Sequence, residues 1–435
     1  MGQRYNPEKP LLPLLPLRFK VLLFVFPRTK ENAFRHVASN GPSPVFFLYD
    51  NQSHAFSHDT HAGSRCFMNI AIDVHSLGTQ AGGNETYFRQ LIQGLTADSG
   101  DHRYTLFYTH SGALDLKTGD PRFTFVEVPK NPITRLAIGL PRLLRELKPD
   151  VFHCQYVRPL FVGVPTVVSI HDLAYEHFPE FFHPLERTRL KISVRRTARA
   201  ADHILTLSEF SAADIARRYQ VPRDKITVTY LAASAMFHPR EKAACRKLVG
   251  EKYGASSPFI LYIGRIQARK NLPRLVEAFA IARRRGIQCK LVLVGKKDFQ
   301  FDRLEARIKE LGLRDSVIFP GYVALEDLPL FYNAADLFVF PSFFEGFGLP
   351  VVESMASGVP TITSRGSSLA EVAGDAAVLI DPGDTDSIAD AIVQVLSDAE
   401  LQRSLIEKGL RRSAGFSTGT LTAQALDVYK SLGRG

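Results

Sequence analysis

From Met68 onward, short apolar runs rich in β-branched and aromatic residues alternate with longer segments of helical period, and beyond Pro258 the alternation starts afresh. Parallel strands cannot be joined by a tight turn and need a crossover of helix length, so this pattern predicts parallel sheets covered by helices. The first strands are predicted at 69–74, 104–109, 123–128, 151–154, 166–171, 203–208 and 226–231, with helices at 85–95, 135–147 and 211–219 among them. The second set falls at 259–263, 290–294, 317–319, 337–340, 361–364 and 377–380, with helices at 272–285, 303–311, 325–334 and after Pro350. A less regular stretch at 232–258 separates the sets. At 435 residues the chain is also too long for one ordinary hydrophobic core. The fold class is therefore α/β with two Rossmann-like domains, 68–235 and 258–415, a linker at 236–257 and a terminal segment at 416–435.

Residues 1–67 stand outside this scheme. Leu11 to Pro27 is apolar but is broken by Pro13, Pro16, Arg18 and Lys20, whereas a spanning helix needs roughly twenty uninterrupted apolar residues. The proline-split apolar core, without a small-residue cleavage site, does not fit a secretory signal either. Met68 is one of only four methionines and stands immediately before the first predicted strand. Residues 1–67 thus read as an upstream extension, disordered or mis-started, with a short membrane-surface anchor as the competing reading.

Apolar residues make up 45% and charged residues 23% of the chain, as in soluble globular proteins. Cys66, Cys154, Cys245 and Cys289 lie far apart without ligand spacing, which argues against a disulfide framework or a zinc site and fits a reducing, cytoplasmic setting. The formal charge of +10 leaves three kinds of partner: nucleic acid, an anionic membrane surface or a polyanionic substrate. No nucleic-acid motif supports the first. Basic residues concentrate at 186–202, where a helical period puts Leu190, Val194 and Ala198 on one face. The rest of that helix is either a solvated basic face or a patch that meets anionic lipid.

The segment Glu345-Gly346-Phe347-Gly348-Leu349-Pro350-Val351-Val352-Glu353 carries the chemistry. Proline at a first helical position sacrifices no hydrogen bond, so Leu349-Pro350 opens a helix, which ends at Ser357-Gly358. A helix start offers unpaired amides and a positive dipole end to a phosphate, and Gly346 and Gly348 leave the backbone accessible. Two carboxylates flank that anion position. Carboxylates accept hydrogen bonds from sugar diols, so the ligand read from this segment is a nucleoside diphosphate sugar.

EGFGLPVVE followed by SMASG resembles the two-glutamate signature of the retaining glycosyltransferases of family 4, also called group 1. Further elements follow in the family's order: AGGNETY at 81–87, His171-Asp172, Ser208-Glu209-Phe210-Ser211, Gly264-Arg265 with Lys270-Asn271, and SSLAEVAGDAAVLIDP at 367–382. The resemblance covers Met68 to the end. It implies a GT-B architecture, two Rossmann-like domains facing across a cleft, with a last helix at 417–432 returning to the first domain. It also implies that Glu353 holds the ribose, that Glu345 orients and stabilises charge near the donor sugar, and that Phe347, Gly348 and Leu349 supply helix-start contacts.

Arg265 and Lys270 follow the first strand of the second domain, where an α/β sheet binds ligands, and can together replace a metal at the leaving phosphate. His171 is expected to face the cleft and contact hydroxyls, and Gly82 and Gly83 to bring amides toward the diphosphate. Ser208 and Ser211 read as helix caps. Thr86 departs from the basic residue that often precedes the tyrosine of this loop. Asp384-Thr385-Asp386 spells a metal-binding triplet of another fold, but its place after Pro382-Gly383 reads as a helix start, so no metal is expected.

The expected activity is transfer of a hexose, mannose or glucose, from a GDP-, UDP- or ADP-sugar to a glycan or lipid-linked acceptor, with a non-catalytic nucleotide-sugar sensor on the same fold as the alternative. A nicotinamide enzyme would need a GxGxxG spacing that the GGNETY loop lacks.

Overall fold

The computed structural model describes residues 67–433 apart from 80–81, 117–118, 297–300 and 322. The readings made for 1–66 lie outside the described residues.

Seven strands form the first sheet: β1 (Asn69–Asp73), β2 (Arg103–Tyr108), β3 (Phe123–Glu127), β4 (Val151–Gln155), β5 (Thr166–Ser169), β6 (His203–Thr206) and β7 (Ile226–Val228). Six form the second: β8 (Phe259–Ile263), β9 (Lys290–Val294), β10 (Val317–Ile318), β11 (Leu337–Phe340), β12 (Thr361–Ser364) and β13 (Val378–Ile380). Their orders, β3-β2-β1-β4-β5-β6-β7 and β10-β9-β8-β11-β12-β13, are doubly wound and parallel throughout. Helices cover both faces of such a sheet, which is why β4, β8 and β11 are buried at every position, and why β8 and β11 read as unbroken apolar runs rather than alternating ones. The order reverses beside β1 in the first sheet and beside β8 in the second, and loops leaving the carboxyl ends of strands there form a crevice.

The stretch expected to be irregular contains a helix, Lys242–Tyr253. Glu241 caps it by accepting from the amides of Ala243 and Ala244, and Gly254 ends it at φ 74. Arg246 ties it to Ala334 and Asp336 at 2.8 and 2.9 Å, so this helix is built into the second sheet's outer layer rather than hanging as a linker. A further helix, Ala399–Ala414, has no counterpart among the predicted elements, and the predicted helix at 325–334 is a short turn followed by Leu328–Ala334.

The last helix, Thr418–Leu432, packs on Gly83–Ala97 of the first domain. Gly94 is required there, since a Cβ would come within 1.8 Å of Thr422 Oγ1. Tyr429 reaches the first sheet, its hydroxyl 2.6 Å from His153 Nδ1. Among the described residues no helix is long and apolar enough to cross a membrane. Cys154, Cys245 and Cys289 are buried free thiols.

Candidate active site

A cleft of about 700 Å³ lies between the two sheets, lined from one side by Gly82, Gly83 and His171 and from the other by Arg265, Lys270, Glu345 and Glu353. Gly83 opens a helix and Glu353 lies inside one; each of the others sits on the connection that leaves the carboxyl end of a strand.

The loop after β11 sets the floor. Gly348 has φ 100, a conformation glycine adopts cheaply, and a Cβ there would also lie 2.4 Å from Leu369. That turn launches the helix Leu349–Ala356 toward the crevice, with Pro350 in its first turn. Phe347 and Leu349 line the cleft as well, but the buried Phe347 ring packs against Tyr230 and Phe416 at 6.1 and 5.6 Å.

Glu345 is 8% exposed and fully engaged. Its Oε1 accepts from the Lys270 ammonium and from the Ser342 hydroxyl at 2.6 Å, and its Oε2 from Arg269 Nη1 at 3.2 Å. Burial alone would raise the carboxyl's pKa, but the two cations and the hydroxyl outweigh it and hold Glu345 ionised below its ordinary value. Burial, with Arg269 alongside, pulls Lys270 below the ordinary lysine value despite its carboxylate partner. Arg269 also donates to Phe344 O at 2.7 Å. The residue after Lys270 braces the arrangement: Asn271 donates to Pro341 O and Pro382 O at 3.2 and 2.6 Å, linking the loops after β8, β11 and β13.

Arg265 contrasts with its neighbours. It is exposed in the same cleft and its guanidinium makes no ion pair with a described residue, so it is free to meet an incoming anion. Glu353 stands one turn inside the helix, 9% exposed, and accepts from the Tyr332 hydroxyl at 2.9 Å. Burial raises its pKa to about 7, and the Tyr332 bond offsets only part of that.

On the facing wall Gly82, at φ 63, heads the helix Gly83–Ala97, and a Cβ on either glycine would point into open space. His171 does not present a free ring nitrogen to that space. Its Nε2 lies 2.8 Å from the Gln155 amide nitrogen, which also donates to Asn84 O at 3.4 Å, so the ring accepts at Nε2 and its proton sits on Nδ1, a buried atom without a partner. The ring packs at a tilt of 56° against Tyr87, centroids 4.7 Å apart, and burial lowers its pKa to about 3, leaving it neutral. Ser208 caps the helix Glu209–Tyr219 as predicted, whereas Ser211 lies within the helix and donates to His171 O at 3.0 Å.

Sequence reasoning missed Arg269, Ser342, Tyr332 and Gln155. Arg269 adjoins Lys270 and Ser342 stands three residues before Glu345, so both are visible in retrospect, but Tyr332 and Gln155 act from 21 and 16 residues away. Asp384 caps the helix Thr385–Ser397, as its position after Pro382-Gly383 predicts.

Comparison with known proteins agrees with this architecture. The family model for Glycosyltransferase Family 4 matches residues 81–233, and that for Glycosyl transferases group 1 matches 250–412. The O-antigen chain mannosyltransferase B of Escherichia coli is 38% identical over 269 residues, which are 61% of this chain and 70% of that protein. The chain belongs to glycosyltransferase family 4. The family 4 enzyme is also 29% identical over 308 residues to the alpha-D-kanosaminyltransferase of Streptomyces kanamyceticus, covering 67% of this chain and 80% of that one. Among solved structures, the glycosyltransferase resembles sucrose-phosphate synthase from Thermosynechococcus elongatus, with a TM-score of 0.68 at 23% identity over 84% of this chain and 99% of that one. Anabaena HepE in complex with UDP and glucose gives a TM-score of 0.68 at 21% identity over 84% and 100% of the two chains. These likenesses establish the GT-B fold of the family 4 enzyme.

Proposed function

We propose that this glycosyltransferase moves a hexose, mannose before glucose, from a nucleoside diphosphate sugar to a glycan or lipid-linked acceptor, with retention at the anomeric carbon and without a metal. The observation that carries the reading is the juxtaposition in one cleft of Arg265, which pairs with no described carboxylate, the Lys270 ammonium held by Glu345, and a second carboxylate, Glu353. The diphosphate lies against Arg265, Lys270, the amides at the Leu349 helix start and the Gly82-Gly83 turn, where fixed cations offset the charge of the departing phosphate. The ribose diol donates to Glu353, and the sugar lies between Glu345 and His171.

A covalent glycosyl enzyme would form by attack of a carboxylate oxygen on the anomeric carbon, and hydrogen bonds and ion pairs to that carboxylate weaken it as a nucleophile. Both Glu345 oxygens already accept hydrogen bonds, which favours a same-face substitution. The bond from the anomeric carbon to the diphosphate oxygen breaks, the bond to the acceptor oxygen forms, and the departing phosphate takes the acceptor proton. Mannose comes first because the E. coli relative is named a mannosyltransferase of the O-antigen chain. Its acceptor class suggests a surface polysaccharide built on a lipid carrier.

The helix Pro184–Ala200 fits that setting. Val194 and Ala198 are buried as predicted, while Leu185 and Ile192 are 77% and 67% exposed on a face shared with Arg189, Arg195 and Arg196. Exposed aliphatic side chains among arginines suit the surface of an anionic bilayer better than bulk water. Leu190 of the same helix lines the cleft, so a bilayer-bound acceptor would enter from this side.

The test is a thermal-shift and hydrolysis panel with GDP-, UDP- and ADP-sugars, with and without a chelator. Stabilisation by one nucleotide class that survives the chelator is the expected result. A shift that the chelator abolishes would overturn the metal-free reading, and no shift with any donor would overturn the donor site itself.

A further inference from the structure

Helix Glu209–Tyr219 of the first domain begins with three amides that its own turns leave unpaired. Ser208 serves that of Ser211, at 3.1 Å. The other two are served from the opposite domain: the amides of Glu209 and Phe210 each donate to one oxygen of Glu371, both at 2.8 Å. A third donor from the first domain, the Tyr230 hydroxyl, reaches the same carboxylate at 2.8 Å. Glu371 lies on the helix Ser367–Ala373, whose C-terminal carbonyls are held by Arg412 at 2.7 and 3.0 Å. A carboxylate across two helix-start amides is a charge-assisted contact reinforced by the helix dipole.

We propose that Glu371 is a positioning residue for transfer: by completing a helix cap across the domain boundary, it fixes the closed pose in which the two walls of the cleft meet. Glu371 is not among the residues that line the cleft, so it acts on the reaction only through that pose. All three of its donors belong to one domain and its own helix to the other, so opening the cleft breaks every one of these bonds together. The contact adjoins a second bridge between the two walls. There the Ser208 hydroxyl donates to Gly346 O at 2.9 Å, and a Cβ on Gly346 would lie 2.3 Å from His171 O. The closed pose therefore sets the spacing between the His171 wall and the Glu345 loop directly.

The test is a distance measurement between spin labels in the full-length protein, on Arg142→Cys and Arg403→Cys, exposed positions on the two domains, in a Cys66→Ser background. Distributions are recorded for otherwise wild-type protein, Glu371→Ala and Glu371→Gln, with and without GDP. The proposal expects longer and broader distances for Glu371→Ala, with Glu371→Gln in between because it keeps one acceptor. Distributions identical to wild type in both conditions would overturn it. The kinetic arm rests on the transferase reading and uses GDP-mannose as probe. Turnover should fall about tenfold while KM for the donor stays within about twofold, because the donor contacts are intact and the alignment is lost. A parallel loss of donor affinity with unchanged distances would assign Glu371 an ordinary structural role. The distance arm stands even if GDP-mannose is not the donor.

Discussion

The Tyr332 hydroxyl donates to Glu353 Oε2 at 2.9 Å from a helix that never touches the chemistry, and this single bond orients the carboxylate assigned to the ribose. With that carboxyl raised to about 7 by burial, Glu353 binds a proton in the folded enzyme where the unfolded chain, near 4.5, does not. Folded protein thus holds the extra proton between those values, so this residue's contribution to stability is full below about 4.5 and is lost as pH rises to about 7. Glu353→Gln should flatten that slope, as followed by the melting temperature across pH.

Nucleotide binding should show the opposite trend. Ribose hydroxyls donate to the ionised form, so affinity is expected to rise between about pH 6 and about pH 8 and to be accompanied by proton release at the lower end. Calorimetry in buffers of different ionisation enthalpy measures that release. An affinity independent of pH in wild type would contradict the assignment of Glu353 to the ribose.

Arg265 and Glu353 should separate in kinetics. Glu353→Ala should weaken donor binding by roughly tenfold to a hundredfold with turnover little changed, as the loss of a charged acceptor predicts. Arg265→Ala should lower kcat by roughly a hundredfold, since its free guanidinium meets charge that grows on the leaving phosphate. Activity equal to wild type in both variants would remove these residues from the site.

The buried Lys270 and Glu345 pair should behave asymmetrically. Glu345→Ala leaves the part-buried Lys270 and Arg269 cations without their carboxylate and should cost about 1–3 kcal/mol of stability. The triple change Arg269→Met, Lys270→Met and Glu345→Leu, which removes all three charges together, should recover much of that stability while remaining inactive. Denaturant melts set beside turnover distinguish the two effects.

Gly346→Ala is expected to reduce turnover about a hundredfold by pushing the His171 wall away, with both domains still folded. Near-wild-type turnover would mean that the catalytic pose is more open than this one.

Vesicle cosedimentation tests the Pro184–Ala200 helix. Ile192→Glu with Arg196→Glu should lose binding to vesicles containing phosphatidylserine and leave hydrolysis of a free nucleotide sugar unchanged, because neither side chain lines the cleft.

The sequence by itself determined the two parallel sheets, because strands buried on both faces are rich in apolar and β-branched residues without a two-residue alternation, and their crossovers carry a helical period. It also placed Glu345, Glu353, Lys270 and the Leu349 helix, since a glycine turn followed by proline dictates local geometry whatever surrounds it. The Lys242–Tyr253 helix escaped because only Cys245 and Val249 are buried along it, and its stability comes from Arg246 gripping Asp336 ninety residues away. Only the tertiary structure decided which groups surround each carboxylate. Tyr332 and Arg269 reach theirs through space, Gln155 occupies Nε2 of His171, and Glu371 finds its donors in the other domain. Hydrogen bonds and ion pairs act over a few ångströms in space and carry no signature in sequence spacing, so their partners become visible only when the chain has folded.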